Sequence, residues 1–454
     1  MINVESFLPL EEKNLFFAEI KDKAIKYALQ LGATDAYVII SETNGLSVSS
    51  RKNDIENVEK YNERGIDLTV YIGKASGSAS SSDFSNDAIY RTVKSAIHIA
   101  KNIAIDEYSG LPDKDMLATE FPDFKVCHAL NLSLNDMINF TLLAEQTALS
   151  VDPKIVNTEG SSFDAQNVQF LIGNTLGFSG YKAYSNYTIS SVPIAALNNN
   201  MQRDYWYESN CNPNKLMSAD KLGEIAAKRS LSRLSAKRIP TNFYPVIFEA
   251  PVALSLLSAL SHAINGSNLY RKASFLQNHL GKKIFSDFID IVDDPYIIGQ
   301  IGSSSFDVEG VRTKTRNIVK SGTLEGYFLS NYSAKKLGMI STGNAGGFHN
   351  LLIKSNKDEL TYSFSDLLKK MNRGLLVTEL IGHGTNYVTG DYSRGAFGYW
   401  VENGEILYPV EEITIAGNLI SMFKDIIAIG SDIIIRDNKM SGSILLEKMS
   451  VAGS

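Results

Sequence analysis

The chain has 454 residues, a formal charge of −6, 44% hydrophobic and 21% charged residues. That length predicts two or three units of ~100–200 residues each and a core large enough to fold without a disulfide or a metal. An acidic chain with no Lys/Arg-rich run excludes direct nucleic-acid binding, which draws its affinity from basic residues against phosphate. No apolar run reaches the ~20 residues of a membrane span.

Only Cys127 and Cys211 are present. Two cysteines make neither a disulfide framework nor a four-ligand zinc site, and they read as reduced thiols of a cytosolic protein. The N-terminus, MINVESFLPLEEKNLFF, carries acids and no uninterrupted apolar core, so no signal peptide is expected and the cytoplasm is the expected location.

In chain order, Glu11 to Gln30 reads as a helix, with Leu15, Phe16, Ile20, Ile25 and Ala28 loosely at helical spacing. Ala36–Ile40, Gly45–Ser50 and Gly65–Ile72 read as separate strands, broken at Asn44-Gly45 and Glu63-Arg64-Gly65. Ser76 to Ser82 is small and polar, a strand edge or loop. Ser85 can cap a helix through Ala104 whose buried face holds Ile89, Val93 and Ile97. Ile105 to Asn131, with Pro112 and Pro122, reads as a linker.

A second cycle then starts. Ser133 can cap a helix to Ser150, with Asp136 in the capping-box region. Strands are expected between Ile155 and Leu197, and a helix from Ser218 to about Lys237. Strands followed by a helix thus occur twice, a weak repeat. Beyond Pro240, Tyr244–Glu249 reads as a strand and Val252–Asn265 as an apolar helix. From Pro295 onward strands and turns dominate. Lys320-Ser321-Gly322-Thr323 is a hairpin candidate, and Asn403-Gly404 is the strongest hairpin signal, because type I′ turns need positive φ at both central residues. A short helix should follow Asn418, and SGSILLEKMSV reads as a last strand. The expected fold is α+β, divided into an N-terminal α+β domain (1–104), a linker (105–131), a central α+β domain (132–237) and a β-rich C-terminal domain (238–454).

Residues with catalytic chemistry are scattered. The six histidines, His98, His128, His262, His279, His349 and His383, contain no HExxH pair. His98 lies in an amphipathic helix, where it packs or faces water. The glycine-rich runs at 343–347 and 382–384 match no phosphate-binding pattern and read as tight turns. His383, Asp391 and Ser393 are the residue types of a serine hydrolase, but Ser393 lacks the GxSxG setting, and Asp391 and Ser393 read as turn formers.

FDVEGVRTKTRNIVKSGTLEGYFLSNYSAKKLG, STGNAGG, TELIGHGTNYVTGDYSRGAFGYWVENGEI and PVEEITIAGNL together resemble the C-terminal block of the PmbA/TldD family. That family pairs a zinc-peptidase subunit, TldD, with a related subunit, PmbA or TldE, that lacks the zinc motif. In TldD a strand–helix unit carries HExxxH, and a cysteine near the C-terminus is a further ligand. Aligning on Gly266 puts Leu257 at the first histidine, Ser258 at the glutamate and His262 at the second histidine, with Ser441 nearest to the cysteine. Leu257 has no lone pair for a metal and Ser258 is no carboxylate base. With the wording Tyr-Ser-Arg-Gly, the resemblance implies the PmbA/TldE branch. This chain is then expected to carry no catalytic residue, cofactor or metal of its own. Leu257, Ser258, His262, His383, Asp391 and Ser441 become positions of a degenerate site or peptide groove. Zinc is expected in a TldD-like partner, and unfolded peptides, bound as an added strand, are the expected substrates. The alternatives are a stand-alone homodimeric peptide-binding protein and an independent hydrolase with an unrecognised site. Members are often called modulators of DNA gyrase, a genetic label that implies no DNA contact.

Overall fold

The computed structural model describes residues 10–130, 132–198 and 200–453. Residues 1–9, half of the stretch over which no signal peptide is expected, lie outside the described residues, as does Asn131 at the end of the expected linker.

The fold is α+β. Helix α1 (Leu10–Gln30) leads into strands β1 (Asp35–Arg51), β2 (Asp54–Ile72) and β3 (Ala75–Ser81), then α2 (Asn86–Asn102). After the 105–131 stretch come α3 (Leu134–Ser150), β4 (Ile155–Asn174), β5 (Ser179–Leu197), β6 (Asn200–Arg203), β7 (Trp206–Asn210) and α4 (Ala219–Ser232). Both cycles feed one sheet of order β3-β2-β1-β4-β5-β6, with β7 also on β5. The join is the antiparallel pairing of β1 with β4, from Tyr37↔Asn174 to Ser50↔Ser161. Alternation sends Ala36, Val38 and Ile40 into a core with α1 and α2. The same parity further on sends Leu46 and Val48 into a core with α3 and α4.

Two expected breaks are strand interior. Asn44 pairs with Asn62 and Gly45 with Tyr61. Gly45 serves a close approach instead of a turn: a Cβ there would lie 2.0 Å from the Tyr61 ring. The chain reverses at Lys52-Asn53, both in the left-handed region (φ 56° and 62°). Buried Glu145 of α3 accepts hydrogen bonds from both turn amides, Lys52 N (2.7 Å) and Asn53 N (2.9 Å), and so ties the hairpin tip to the helix.

The capping readings hold. Ser85 accepts from Ala88 N, and Ser133 with Asp136 forms a capping box. Exposed His98 faces water on α2. Helix α4 ends at Ser232, five residues before Lys237. The 105–131 stretch is pinned to the C-terminal part, for instance by Ala118 N to Gly310 O (3.0 Å) and by the Phe121, Phe178 and Phe306 rings.

The C-terminal part begins with β8 (Asn242–Phe248), α5 (Ala250–Ala263) and α6 (Gly266–Tyr270). Next come β9 (Ile289–Asp293), β10 (Arg316–Lys320), β11 (Thr323–Leu324), α7 (Asn331–Lys336), β12 (Leu351–Ser355), β13 (Thr361–Tyr362) and α8 (Phe364–Met371). It ends with β14 (Gly374–Ile381), β15 (Asp391–Glu402), β16 (Glu405–Asn418), α9 (Leu419–Lys424), β17 (Ile426–Gly430), β18 (Ile434–Arg436), β19 (Lys439–Ser441) and β20 (Ile444–Ala452). One sheet has the order β11-β10-β9-β12-β19-β18. The other runs β13-β17-β20-β16-β15-β14-β8, and a further β20–β8 pairing closes β8, β14, β15, β16 and β20 into a ring. Both expected hairpins form, with positive φ at Ser321-Gly322 and at Asn403-Gly404. Along β8, Val246 and Phe248 enter the main core with α5, while Ile247 enters a second core under α8.

Candidate functional site

Helix α5 is the centre of the C-terminal part. Pro251 in its first turn suits a helix start, and nine of its apolar residues are buried. Its polar residues make one stripe, because Ser255, Ser258 and His262 stand at i, i+3 and i+7. Leu257 points away from that stripe into the main core and is 1% exposed.

Ser258 donates to Leu254 O (3.1 Å) and accepts from Lys439 Nζ (2.9 Å). The His262 ring, on the exposed side of α5, lies 3.9 Å from the Tyr387 ring, and partial desolvation pushes its pKa down. Its carbonyl accepts from Asn268 Nδ2 (2.7 Å). Ser258, Ser261, His262, Asn268, Phe348 and Tyr387 line an open cavity of about 520 Å³. Ser441 is fully buried and its hydroxyl donates to Gly442 O (2.7 Å). The two-residue period of β19 puts Ser441 on the same face as Lys439. Ser258 and His262 therefore meet at one cavity, with Lys439 beside them. Lys439, Asn268 and Tyr387 went unread in the sequence, since nothing in their local wording marks them.

His383 and Asp391 belong to the loop and strand start that carry Tyr387 to His262. His383 is exposed. Asp391 accepts from Thr389 Oγ1 (2.6 Å) and Asn418 Nδ2 (3.3 Å), and these bonds hold its carboxyl below the usual range. Ser393 faces solvent, and its backbone N–H donates to Gly384 O (2.7 Å). The three residues are turn and strand-end groups, with no hydrogen-bonded Ser–His–Asp relay among the described residues.

A smaller cavity, about 150 Å³, lies between the first sheet and the 302–349 segment and is lined by Lys182, Asp307 and His349, among others. The Asp307 carboxylate accepts from the backbone N–H groups of Glu309, Val311 and Ala345 at 2.9–3.0 Å. Burial, and next the Glu309 charge, still push its pKa up to about 7. A raised folded-state pKa means that the folded chain binds the extra proton between about pH 4 and 7. Stability from this group is present below about pH 4 and is lost as pH rises through 7. We expect the melting temperature of Asp307→Asn, relative to the parent, to rise from pH 5 to about pH 7 and to level off above it. A pH-independent difference in thermal scans would contradict this.

The zinc-bearing alternative to such a site needs three protein ligands. Among the described residues, no three His, Cys, Asp or Glu side chains group so that they could hold a metal ion. Three sequence models match in succession: PmbA/TldA metallopeptidase domain 1 over residues 36–100, the central domain over 127–234 and the C-terminal domain over 241–453. The chain belongs to the PmbA/TldD metallopeptidase family. It is 44% identical over 431 residues to a metalloprotease PmbA homologue of Haemophilus influenzae, covering 95% of each chain. It is 44% identical over 438 residues to the metalloprotease PmbA of Escherichia coli O157:H7, covering 96% of each. A Bacteroides thetaiotaomicron crystal structure, described as a candidate modulator of DNA gyrase, superposes with a TM-score of 0.90 at 28% identity, covering 96% of this chain and 99% of that one.

The family name implies a metal, and the residues here do not fit one. Leu257 offers only methyl groups to the core, and the Ser441 hydroxyl is spent on Gly442 O. Lys439 puts an ammonium on Ser258, where a second cation would be repelled. We expect elemental analysis of the dialysed chain to find far less than one zinc per molecule. About one tightly held zinc, lost in His262→Ala, would overturn this.

Proposed function

We propose that this chain is the non-catalytic, PmbA/TldE-like subunit of a zinc-peptidase complex that processes unfolded peptides in the cytoplasm. The observation that carries this is α5: the helix and surrounding hairpins are present, but Leu257, Ser258 and Ser441 stand where the resemblance expects ligands and a base, and Lys439 is bonded to Ser258. Zinc would come from a TldD-like partner. Leu257, Ser258, His262 and Ser441 are then the remains of a metal site, and the loop carrying His383 and Asp391 borders a peptide groove over the 520 Å³ cavity. Extended peptides suit such a groove, because backbone hydrogen bonds bind them without strict sequence choice. The test is co-expression with the HExxxH-bearing homologue of the same organism. A stable interface should bury more than about 1,000 Å², so the two chains should co-elute at micromolar concentration. Separate elution of two folded chains would refute the subunit reading and favour a stand-alone homodimeric peptide binder.

One observation speaks to an independent hydrolase: the Ser258–Lys439 contact has the residue types of a serine–lysine pair. Ser258 Oγ lies 3.1 Å from Leu254 O and 2.9 Å from Lys439 Nζ. In such a hydrolase the lysine would have to accept the hydroxyl proton, so loss of peptide cleavage by the chain alone on Ser258→Ala is the result that would favour it.

A further inference from the structure

A second cavity, about 230 Å³, opens at the other end of the α5 polar stripe, where the β6–β7 turn, α4, β14, β15 and β18 meet. Six buried polar atoms on its lining have no hydrogen-bond partner; one, Arg229 Nε, lies 3.4 Å from Asp204, and the other five are Trp206 Nε1, Ser255 Oγ, Thr378 Oγ1, Arg394 Nε and Arg436 Nε. Folded proteins leave few such groups, and five around one cavity is a concentration that wants an acceptor. Two of the residues are nine-tenths buried, Thr378 at 8% and Arg436 at 9% exposure.

The charges around this cavity are uneven. Arg229 takes Glu249 (2.8 Å) and lies 3.4 Å from Asp204, and Arg233 takes Glu379 (2.5 Å). Those carboxylates are thereby used. Among the described residues, no carboxylate lies within ion-pair distance of Arg394 or Arg436. The Arg436 guanidinium lies against two rings, 3.9 Å from the centre of Tyr207 and 5.0 Å from that of Trp206. The rings restrict the guanidinium, and its Nε–H is without a partner, so it can still donate to a carboxylate oxygen.

We propose that this cavity binds the C-terminal carboxylate of a peptide, with Arg436 and Arg394 as the charged donors and Thr378 and Ser255 as neutral ones. The volume lies below the ~300–1,000 Å³ of ordinary small-molecule sites, so it takes a residue-sized group. Val252 and Leu380 give that group an apolar wall. Ser255 lies seven residues from His262, roughly 10 Å along the helix. An extended chain covers that in about three residues, so a peptide anchored here would reach the His262 cavity. The inference rests on the peptide-groove reading above and adds an end to the groove and a polarity to the peptide.

The test is calorimetric titration of the full chain at low ionic strength with N-acetyl-tetra-alanine, its C-terminal amide and inorganic phosphate. The acid should bind at least tenfold more tightly than the amide and than phosphate. Arg394→Gln and Arg436→Gln should each weaken the acid at least tenfold while leaving the amide unchanged, with circular-dichroism melts confirming the fold. Should Arg436→Gln fail to fold, Arg394→Gln and the acid–amide pair decide. Equal binding of acid and amide would overturn the carboxylate site and leave the peptide groove standing. Binding of neither peptide, including by the co-purified complex, would remove both. Phosphate binding more tightly than the acid, with the same arginine dependence, would make it a phosphate site and overturn the assignment.

Discussion

Purified alone, this chain should leave an unfolded peptide intact, and adding the TldD-like homologue of the same organism should produce cleavage at least a hundredfold above that blank. The expectation follows from what α5 presents. A metallopeptidase must polarise the scissile carbonyl and activate a water, which takes a metal with an open position and a nearby base. At the positions that the resemblance assigns to ligands and base stand a core leucine, a buried serine whose hydroxyl is already bonded, and a serine bonded to a lysine. On the subunit proposal these groups do neither task, and the chemistry comes from another chain. The control is the homologue alone. If it is equally active without this chain, the subunit proposal fails. If this chain alone cleaves the peptide, keeps its activity through further chromatography and loses it on Ser258→Ala, the hydrolase reading replaces it.

Arg233→Ala should be the most damaging single truncation at the junction between the two halves of the chain. Arg233 is 7% exposed, its guanidinium lies 3.7 Å from the centre of the Phe397 ring, and it binds Glu379 at 2.5 Å with Asp204 at 3.6 Å. Asp204 is buried on the first sheet's side, while Glu379 and Phe397 belong to β14 and β15. Removing the arginine leaves Glu379 unpaired and Asp204 with only Arg229, and it empties the space against the ring. Breaking a buried pair by deleting one partner typically costs about 3–5 kcal/mol, because the remaining charge stays in a poorly solvating site. Urea unfolding should show a loss in that range. Arg233→Lys should recover part of it, since it keeps the charge but loses the planar fork. A loss below about 1 kcal/mol for the alanine variant would show that water reaches the junction freely.

Local grammar was legible wherever a residue acts on its immediate neighbours. The caps at Ser85 and Ser133 were readable because a hydroxyl three residues from an amide can satisfy it whatever the rest of the chain does. The Ser321-Gly322 and Asn403-Gly404 turns were readable because positive φ is a property of those residues. The same signal misled at Asn44-Gly45, where a glycine was kept to let the Tyr61 ring cross it from a strand paired only in the folded sheet. The residue resemblance carried the family and pointed to Leu257, Ser258, His262 and Ser441.

Tertiary structure decided what these positions face. That Ser258 meets Lys439, 181 residues away, depends on β19 packing against α5, and no periodicity along either segment encodes it. The sharing of one sheet by both β-then-α cycles, and the closing of a ring by β20 on β8, are long-range backbone pairings that each strand's alternation permits but does not choose. The arginine cavity is the extreme case. Trp206, Thr378, Arg394 and Arg436 come from four separate elements, and only the fold brings Arg394 beside Arg229 and Arg436 without a carboxylate of its own. Local pattern determined which elements form, and the family resemblance implied which chemistry α5 lacks. Only the packing of distant strands determined where unpaired charge collects, because electrostatic pairing depends on distance in space and not on distance along the chain.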